Sequence, residues 1–240
     1  MQPEHINTAT TPESDEAQHN NLPTLPADST PHVSVRFPVQ GRHLPADHGY
    51  ALYSAITRLL PALHAAPGLA LELISGVPWR EGQIVLPTRG ASLILRLPAD
   101  RYAAVLPLAG QRLDIAGHPI RLGLPSARPL RPAMSVYART VTIKNHTEPE
   151  PFLEAARRKL AALDINATLE LPIDAEGRPR RRILTIHDKQ IVGFSLAAHH
   201  LSDEDSIQLQ THGLGGRRAM GSGIFNPIAS KSQRRRDDEI

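Results

Sequence analysis

Histidine and tyrosine side chains are concentrated in one short stretch of the chain, around a predicted first helix. His48 stands where this helix would begin, Tyr53 lies within it, and His64 follows it. An imidazole exchanges protons near neutral pH, and a phenol hydroxyl can orient or polarise a neighbouring oxyanion. The stretch is therefore a candidate acid–base site.

The spacing of these residues sets a condition on such a site. In one unbroken helix Tyr53 and His64 would lie about 16 Å apart, from a rise of ~1.5 Å per residue. Pro61 can end the helix, and a turn over 65–68 could fold His64 back towards Tyr53. His48 and Tyr53 lie on neighbouring helix faces, so the sequence leaves open which histidine would act.

Other clusters of ionisable side chains predict no metal site. The chain has no cysteine, which excludes disulfides and thiolate-bound metals. The acidic runs 203–205 and 237–239 fall at a helix start and in a polar tail, and we interpret both as solvated. His187, His199 and His200 could mimic metal ligands, but adjacent residues on a strand point to opposite faces. We therefore predict chemistry without a metal ion or cofactor.

A glycine-rich, basic segment near the C-terminus is the most specific motif of the sequence. Residues 213–223 hold five glycines. Glycine lets the backbone approach a phosphate with its N–H groups exposed, whereas the alternative is a flexible hairpin. The segment is no P-loop, since Gly-Lys-Ser/Thr is missing, and Arg218 stands where a dinucleotide motif needs its third glycine. The candidate ligand-binding residues here are Gly213, Gly215, Gly216, Arg217, Arg218, Gly221 and Gly223.

Charge is unevenly distributed along the chain. The net charge is +3, but residues 1–31 contain five of the 24 acidic residues and no lysine or arginine. The remainder is therefore strongly basic, which favours a polyanionic partner, nucleic acid before a membrane; ordinary surface charge explains it equally well. Because no apolar run approaches the roughly 18 residues of a membrane span, we expect a cytoplasmic protein without membrane contact.

The predicted elements follow the order strand, helix, two strands, helix, strand, and this order occurs twice. In the first unit we predict strands 32–39, 69–75, 91–97, 112–115 and 119–122, and helices from 48 and over 100–106. In the second we predict strands 134–144, 168–171, 181–186, 190–198 and 224–227, and helices 150–163 and 203–211. This is the ferredoxin-like pattern, so we predict an α+β protein of two tandem ferredoxin-like (βαββαβ) domains with a C-terminal glycine-rich loop.

Domain boundaries follow from the same pattern. We predict a disordered acidic leader over 1–31, a first domain over 32–124, a proline-spaced linker over 125–133, a second domain over 134–228 and a polar tail over 229–240.

A basic glycine-rich loop between the last helix and the last strand of a duplicated ferredoxin-like protein resembles the signature of CRISPR-associated RAMP proteins. In particular, the sequence resembles the Cas-six-type endoribonuclease that cuts CRISPR repeat RNA. The resemblance extends from about Val33 to Pro227. Four further phrases are similar to one subtype: Leu44-Pro-Ala-Asp-His-Gly-Tyr-Ala-Leu-Tyr-Ser-Ala, Leu106-Pro-Leu-Ala-Gly, Tyr137-Ala-Arg-Thr-Val-Thr-Ile-Lys and Ile191-Val-Gly-Phe.

This resemblance implies metal-independent cleavage within the repeat, with the RNA 2′-hydroxyl as nucleophile and a 2′,3′-cyclic phosphate as product. The general acid/base histidine of the family lies at or just after the first helix, often beside a tyrosine. His64 and Tyr53 match that description, and His48 is the alternative. The resemblance also implies that the repeat hairpin stays bound and reaches other Cas subunits of an effector complex. A non-catalytic RNA-binding RAMP subunit and an RNA chaperone unrelated to CRISPR are the alternatives.

Basic side chains outside the loop are further candidates for RNA contact. Arg157, Arg158 and Lys159 lie off the apolar stripe of a predicted helix; such a helix enters the hairpin's major groove in some relatives, and a solvated face is the alternative. Because aromatic residues make up only 4% of the chain, we expect recognition from phosphate and hairpin shape more than from base stacking. The remaining candidates are Arg180, Arg181 and Arg182 at a strand start and, in second place, Lys144 and Lys189.

Overall fold

Antiparallel sheets and α-helices form a mixed α/β fold over residues 30–228, the part of the chain that the computed structural model describes. Residues 1–29 of the leader predicted over 1–31, and the whole tail predicted over 229–240, lie outside the described residues. Within 30–228, no helix is both long enough and apolar enough to cross a membrane.

The first half of the described chain is built around a central strand. Its elements are β1 (His32–Gln40), β2 (His43–Pro45), α1 (Gly49–Leu59), β3 (Ala70–Glu72), β4 (Val77–Pro78), β5 (Gln83–Val85), β6 (Ser92–Pro98), α2 (Tyr102–Val105), β7 (Arg112–Ile115), β8 (His118–Leu122) and β9 (Ser126–Pro129). The first sheet has the order β3-β6-β1-β8-β7, and β9 also pairs with β1; β2, β5 and β4 form a separate small sheet. All neighbouring strands in the first sheet run antiparallel.

One face of the first sheet carries the first hydrophobic core. Along β1, Val35 and Phe37 are buried while Arg36 between them is exposed, as the alternating sequence predicts. Helix α1 packs against this face through buried side chains that include Leu52 and Ile56. The helix ends at Leu59 because a 3₁₀ turn, Pro61–Leu63, starts with a proline.

The second half of the described chain is also an antiparallel sheet with helices. Its elements are β10 (Ser135–Val141), α3 (Pro149–Ala161), β11 (Thr168–Glu170), β12 (Arg181–Ile186), β13 (Lys189–His199), α4 (Asp203–His212) and β14 (Asn226–Pro227). The sheet order is β11-β13-β10-β14, again antiparallel, and β12 forms a hairpin with β13. Val136 and Ala138 point into a second core that contains Phe152 and Leu160 of α3. The Ser202 hydroxyl accepts the Asp205 N–H at 3.0 Å and caps the N-terminus of α4.

Several predicted elements differ from the structure. The predicted helix over 100–106 is a 3₁₀ turn, one turn of α2 and a second 3₁₀ turn, because Pro107 allows no longer helix. The predicted linker holds β9, whose Pro129 is tolerated because β9 lies off the main path of the sheet. The predicted strand over 134–144 ends at Val141, and the predicted last strand shrinks to two residues. Strands β2, β4 and β5 were not predicted, since each has only two or three residues.

Arg96 connects the two halves. It lies on β6, is 1% exposed, and points away from the first core into the second half. Its guanidinium donates to the backbone oxygens of Gln210 at 2.9 Å and Phe225 at 2.8 Å. It also donates to the Asn226 side chain at 2.7 Å and pairs with Glu72 at 3.2 Å. One buried side chain thus ties β3 and β6 to α4 and β14.

Candidate active site and nucleic-acid interface

Tyr53 and His64 lie side by side. The end of α1 and the following 3₁₀ turn fold His64 back, so that its Nδ1 lies 3.5 Å from the Tyr53 hydroxyl, the outer limit of a hydrogen bond. The same hydroxyl accepts the Ala65 N–H at 3.1 Å, which anchors the turn to the helix. Tyr53 is 8% exposed and His64 is exposed. The pair therefore presents one imidazole to solvent, held by a buried phenol.

His48 occupies a different environment. It is fully buried at the start of α1, with Nδ1 2.7 Å from the Pro45 oxygen and Nε2 accepting the Ile74 N–H at 3.0 Å. Burial lowers the pKa of His48, and nearby Arg139 acts in the same direction. Because both ring nitrogens already bond to backbone, His48 has none left for a substrate. In this structure His48 connects the β2–α1 turn to the segment between β3 and β4.

His32, which sequence reasoning missed, lies between the His64 turn and the glycine-rich segment. A β-carbon at Gly68 would lie 3.0 Å from His32 Nε2, so the turn touches this ring. Burial lowers the pKa of His32, and the neighbouring charges of Arg218 and His212 lower it further. The only sequence signal is its place as the first residue of β1. His32 thus packs against the turn that follows His64 and feels the charges of Arg218 and His212.

The glycine-rich segment over 213–223 is packed into the seam between the halves. Its 3₁₀ turn, Arg218–Met220, lies against the first core, while Gly216 N–H donates to Thr142 at the end of β10. A β-carbon at Gly221 would lie 2.5 Å from the Leu73 side chain, and one at Gly215 would collide with the Thr142 backbone oxygen. The same close approach to protein atoms holds for Gly213 and Gly223, whereas Gly216 faces open space.

The two arginines of this segment have different surroundings. Arg217 is exposed and adopts a left-handed conformation, with φ 63°. Arg218 is half-buried and donates to the Thr211 oxygen at 2.7 Å. Burial, with the charge of Arg96, lowers the pKa of Arg218 to about 10, so it stays charged at neutral pH. Arg217 is therefore the arginine placed to meet a ligand, and Arg218 stabilises the loop.

A groove of about 880 Å³ runs between the halves, and we call it the inter-half groove. It lies on the face of the second sheet opposite the core, because Tyr137 and Arg139 alternate with buried Val136 and Ala138 along β10. Its wall holds two predicted site residues, Gly221 and Arg182, and the Arg182 Nε donates to the Ser195 hydroxyl at 3.1 Å. Other lining residues include Tyr137, Arg139, Glu170, His199, Gly76 and Pro78. Tyr137 and Arg139 belong to one of the four sequence phrases given above, but they were not predicted as site residues.

Arg180, Arg181 and Arg182 stand between two depressions. All three also line a second cavity of about 670 Å³, near the N-terminus of α3. Arg180 and Arg181 are exposed, and Arg180 Nε donates to the Ile173 oxygen at 2.8 Å. Arg182 is thus shared by this cavity and the inter-half groove, whereas Arg180 and Arg181 line this cavity alone.

Arg157, Arg158 and Lys159 lie elsewhere. They are exposed on α3, whose Phe152 and Ala156 pack against the core face of the second sheet. The inter-half groove is on the other face of that sheet, so these residues cannot line it. Lys144 is exposed beyond the end of β10, and Lys189 at the turn of the β12–β13 hairpin.

The three histidines considered above as mimics of metal ligands take part in separate contacts. His187 Nε2 lies 2.9 Å from the Tyr50 hydroxyl, which joins the β12–β13 hairpin to α1. His199 contacts Ser135 at 2.9 Å and Glu170 at 3.2 Å, and His200 contacts Thr168 at 3.2 Å. Across residues 30–228, no three histidine or acidic side chains are grouped in a way that could hold a metal ion.

Comparison with known proteins identifies the class to which this fold and site belong. The family model described as Cas6 Crispr matches residues 33–230. A curated protein of Myxococcus xanthus (strain DK1622), named CRISPR-associated endonuclease Cas6, is 42% identical over 195 residues, which are 81% of each chain. The chain therefore belongs to the Cas6 family.

Solved structures show the same fold at low sequence identity. A CRISPR-associated protein Cas6 has a TM-score of 0.60 at 13% identity, covering 82% of this chain and all of that chain. A structure titled as a RAMP protein binding different RNA substrates has a TM-score of 0.59 at 14% identity, covering 83% of this chain and 100% of that chain. A Cas6-related protein from Pyrococcus furiosus has a TM-score of 0.58 at 14% identity, covering 84% and 99%.

Proposed function

We propose that this protein is an endoribonuclease that cleaves CRISPR precursor RNA within its repeat, without a metal ion. The single observation that carries the proposal is the exposed His64 imidazole held beside Tyr53 in a chain of the Cas6 family. The Myxococcus relative is itself named an endonuclease.

The chemistry follows from the two side chains. The RNA 2′-oxygen attacks the adjacent phosphorus, the bond to the 5′-oxygen breaks, and the products are a 2′,3′-cyclic phosphate and a 5′-hydroxyl. His64 accepts the 2′-hydroxyl proton or supplies a proton to the leaving 5′-oxygen. The Tyr53 oxygen accepts the Ala65 N–H and has a second lone pair, so it can also accept a hydrogen bond from the protonated Nδ1 of His64. Tyr53 thereby orients the ring and leaves Nε2 for the RNA.

RNA binding is proposed for the surface formed by the inter-half groove, the 180–182 stretch and the tip of the glycine-rich loop. Arg217 is exposed at that tip, and Arg182 lines the groove. Cationic side chains bind phosphate with release of counterions, so this surface suits a polyanion. We propose that the repeat hairpin remains bound there after cleavage and passes to other Cas subunits.

We also propose that the two halves are tandem ferredoxin-like domains, over 32–124 and 134–228. In support, the sheet orders β3-β6-β1-β8 and β11-β13-β10-β14 coincide when strands are matched by sequence order, and both are antiparallel.

Incubation of the purified protein with repeat RNA in the presence of EDTA tests the proposed reaction. We expect cleavage to continue, and to stop when the ribose at the cut position is replaced by 2′-deoxyribose, because the attacking oxygen is then absent. Binding of the deoxy-substituted RNA should persist. A strict requirement for magnesium, or cleavage of the deoxy-substituted RNA, would refute the mechanism. Binding with no cleavage under any condition would favour a non-catalytic RNA-binding subunit.

A further inference from the structure

The single tryptophan of the chain lies on the surface, beside the small sheet β2-β5-β4. Trp79 follows β4 directly and is 52% exposed, next to exposed Val77 and Pro78. Its backbone N–H donates to the Gln83 oxygen at 2.8 Å, so the hairpin fixes its position. A large aromatic side chain that is ordered yet half in water indicates a surface for a ligand rather than a part of the core.

Cationic groups surround the indole. The Arg80 guanidinium carbon lies 5.3 Å from the ring centroid, within the range of a cation–π contact. The His43 ring centroid lies 6.4 Å away, and Arg42 beside it is exposed. Glu81 is the acid of the same turn. An aromatic ring with Arg80 against it, and with Arg42 next to His43 in the chain, is complementary to a strand of nucleic acid, which offers a base to the ring and phosphates to the charges.

The indole also lies between two depressions. Gly76 and Pro78, just before Trp79, form part of the wall of the inter-half groove. On the other side, Arg42 and His43 line a depression of about 540 Å³. A single strand that leaves the groove at Pro78 would therefore cross Trp79 before it reaches Arg42.

The size of the apolar patch argues against a protein partner at this place. Its exposed apolar side chains are Val77, Pro78 and Trp79. Stable protein–protein interfaces bury about 800 Å² on each partner, with a much larger apolar centre. One stacked base needs only a single aromatic face.

We propose that Trp79 stacks on an unpaired nucleobase of the RNA strand that occupies the inter-half groove, with Arg42 and Arg80 contacting the adjoining phosphates. This inference rests on the proposed function for the presence of RNA in the groove. The proposal adds a base-stacking contact to RNA recognition. From the low aromatic content alone, we expect recognition through phosphates and hairpin shape.

Tryptophan fluorescence of the full chain tests this inference directly, because all tryptophan emission comes from Trp79. The probes are an unstructured 12-nucleotide RNA and a blunt duplex of the same length, with binding measured independently by filter retention. We expect the single strand to quench the emission at saturation and the bound duplex to leave it unchanged, since duplex bases are already stacked. Trp79→Ala should weaken single-strand binding by about five- to 150-fold without changing its salt slope, because a stack releases no counterions.

Two matched variants sharpen the comparison. Trp79→Phe keeps an aromatic face and should restore part of the affinity lost in Trp79→Ala. Leu124→Ala removes another exposed apolar side chain, 81% exposed, and should leave binding unchanged. Unchanged emission with RNA demonstrably bound, or equal affinity of Trp79→Ala and the parent, would overturn the stacking site while leaving RNA binding intact. Failure of every RNA to bind would instead refute the proposed function as well.

Discussion

The two histidines that flank α1 lie in opposite environments. His64 is exposed, and its Nδ1 lies 3.5 Å from the Tyr53 hydroxyl. His48 is buried, and both its nitrogens are committed to backbone groups. An acid–base catalyst needs one nitrogen in contact with the substrate, so only His64 meets the requirement.

Replacement of His64 with alanine should therefore slow repeat cleavage by about 100- to 10,000-fold, the usual contribution of a positioned acid or base. RNA affinity should change little, because the side chain carries no fixed charge for phosphate. Tyr53→Phe should cost less, since its hydroxyl only orients the ring. Single-turnover cleavage with independently measured binding is the assay, and His200→Ala, at an exposed histidine of the second half, is the control. Wild-type cleavage by His64→Ala would remove this residue from the mechanism.

His48 should contribute to stability and not to the cleavage step. Its alanine variant leaves the Pro45 oxygen and the Ile74 N–H without partners, which should lower the free energy of unfolding by about 2–4 kcal/mol.

The pH dependence of stability gives the sign of this contribution. The folded-state pKa of His48 lies below the ordinary 6.5, so the unfolded chain binds the extra proton and stability falls as pH drops below about 6.5. One such group adds at most ~1.4 kcal/mol per pH unit, and His32 acts in the same direction. Urea denaturation between pH 5 and about 8 should show that the free energy of unfolding falls less steeply with decreasing pH in His48→Gln than in the parent. An identical pH profile would contradict this assignment.

At the scale of elements, the glycine-rich segment has two parts with different functions. Four of its glycines lie against protein atoms, so their small size serves packing in the seam. Gly216 and Arg217 form the exposed tip. The glycine-rich segment therefore has a packed part and an exposed tip.

Separate alanine variants of the two arginines should reveal this division. Arg217→Ala should weaken repeat RNA binding and reduce the salt slope by about one, as expected for one phosphate contact. Arg218→Ala should instead lower the free energy of unfolding by about 1–2 kcal/mol, because the bond to Thr211 is lost. Filter binding across a salt series and urea denaturation measure the two effects. Equal salt slopes for Arg217→Ala and the parent would remove the tip from the RNA-binding surface.

Sequence patterns predicted these elements well where hydrophobic periodicity was long. Strand β1 and helices α3 and α4 lie within a residue or two of the prediction. Short strands such as β4 were not predicted, because two residues show no hydrophobic periodicity and only their pairing with another strand defines them. The fold-back of His64 was anticipated from Pro61. The burial of His48 was not, since its two partners come from backbone distant from the helix, and no side-chain pattern records them.

The whole molecule depends on how the halves are joined, and Arg96 is the buried residue that joins them. Its four acceptors come from β3, the end of α4 and the last strand region. Burial raises the pKa of Glu72, although Arg96 partly opposes this, and burial also lowers the pKa of Arg96. Because desolvation of the Arg96–Glu72 ion pair costs free energy, we infer that the pair contributes mainly by fixing one arrangement of the two halves. The groove and the glycine-rich seam both require that arrangement.

Loss of the guanidinium should consequently separate the halves before either core unfolds. Arg96→Ala leaves the Glu72 carboxylate and the Gln210, Phe225 and Asn226 acceptors without their donor, which should cost about 3–5 kcal/mol. Because each half has its own core, thermal unfolding followed by calorimetry should change from one transition to two. Cleavage should fall together with binding, since the groove is lined by both halves. Arg121→Ala, at an exposed arginine of β8, is the matched control and should unfold thermally as the parent does. A single thermal transition of Arg96→Ala at the parent's temperature would show that other contacts hold the two halves together.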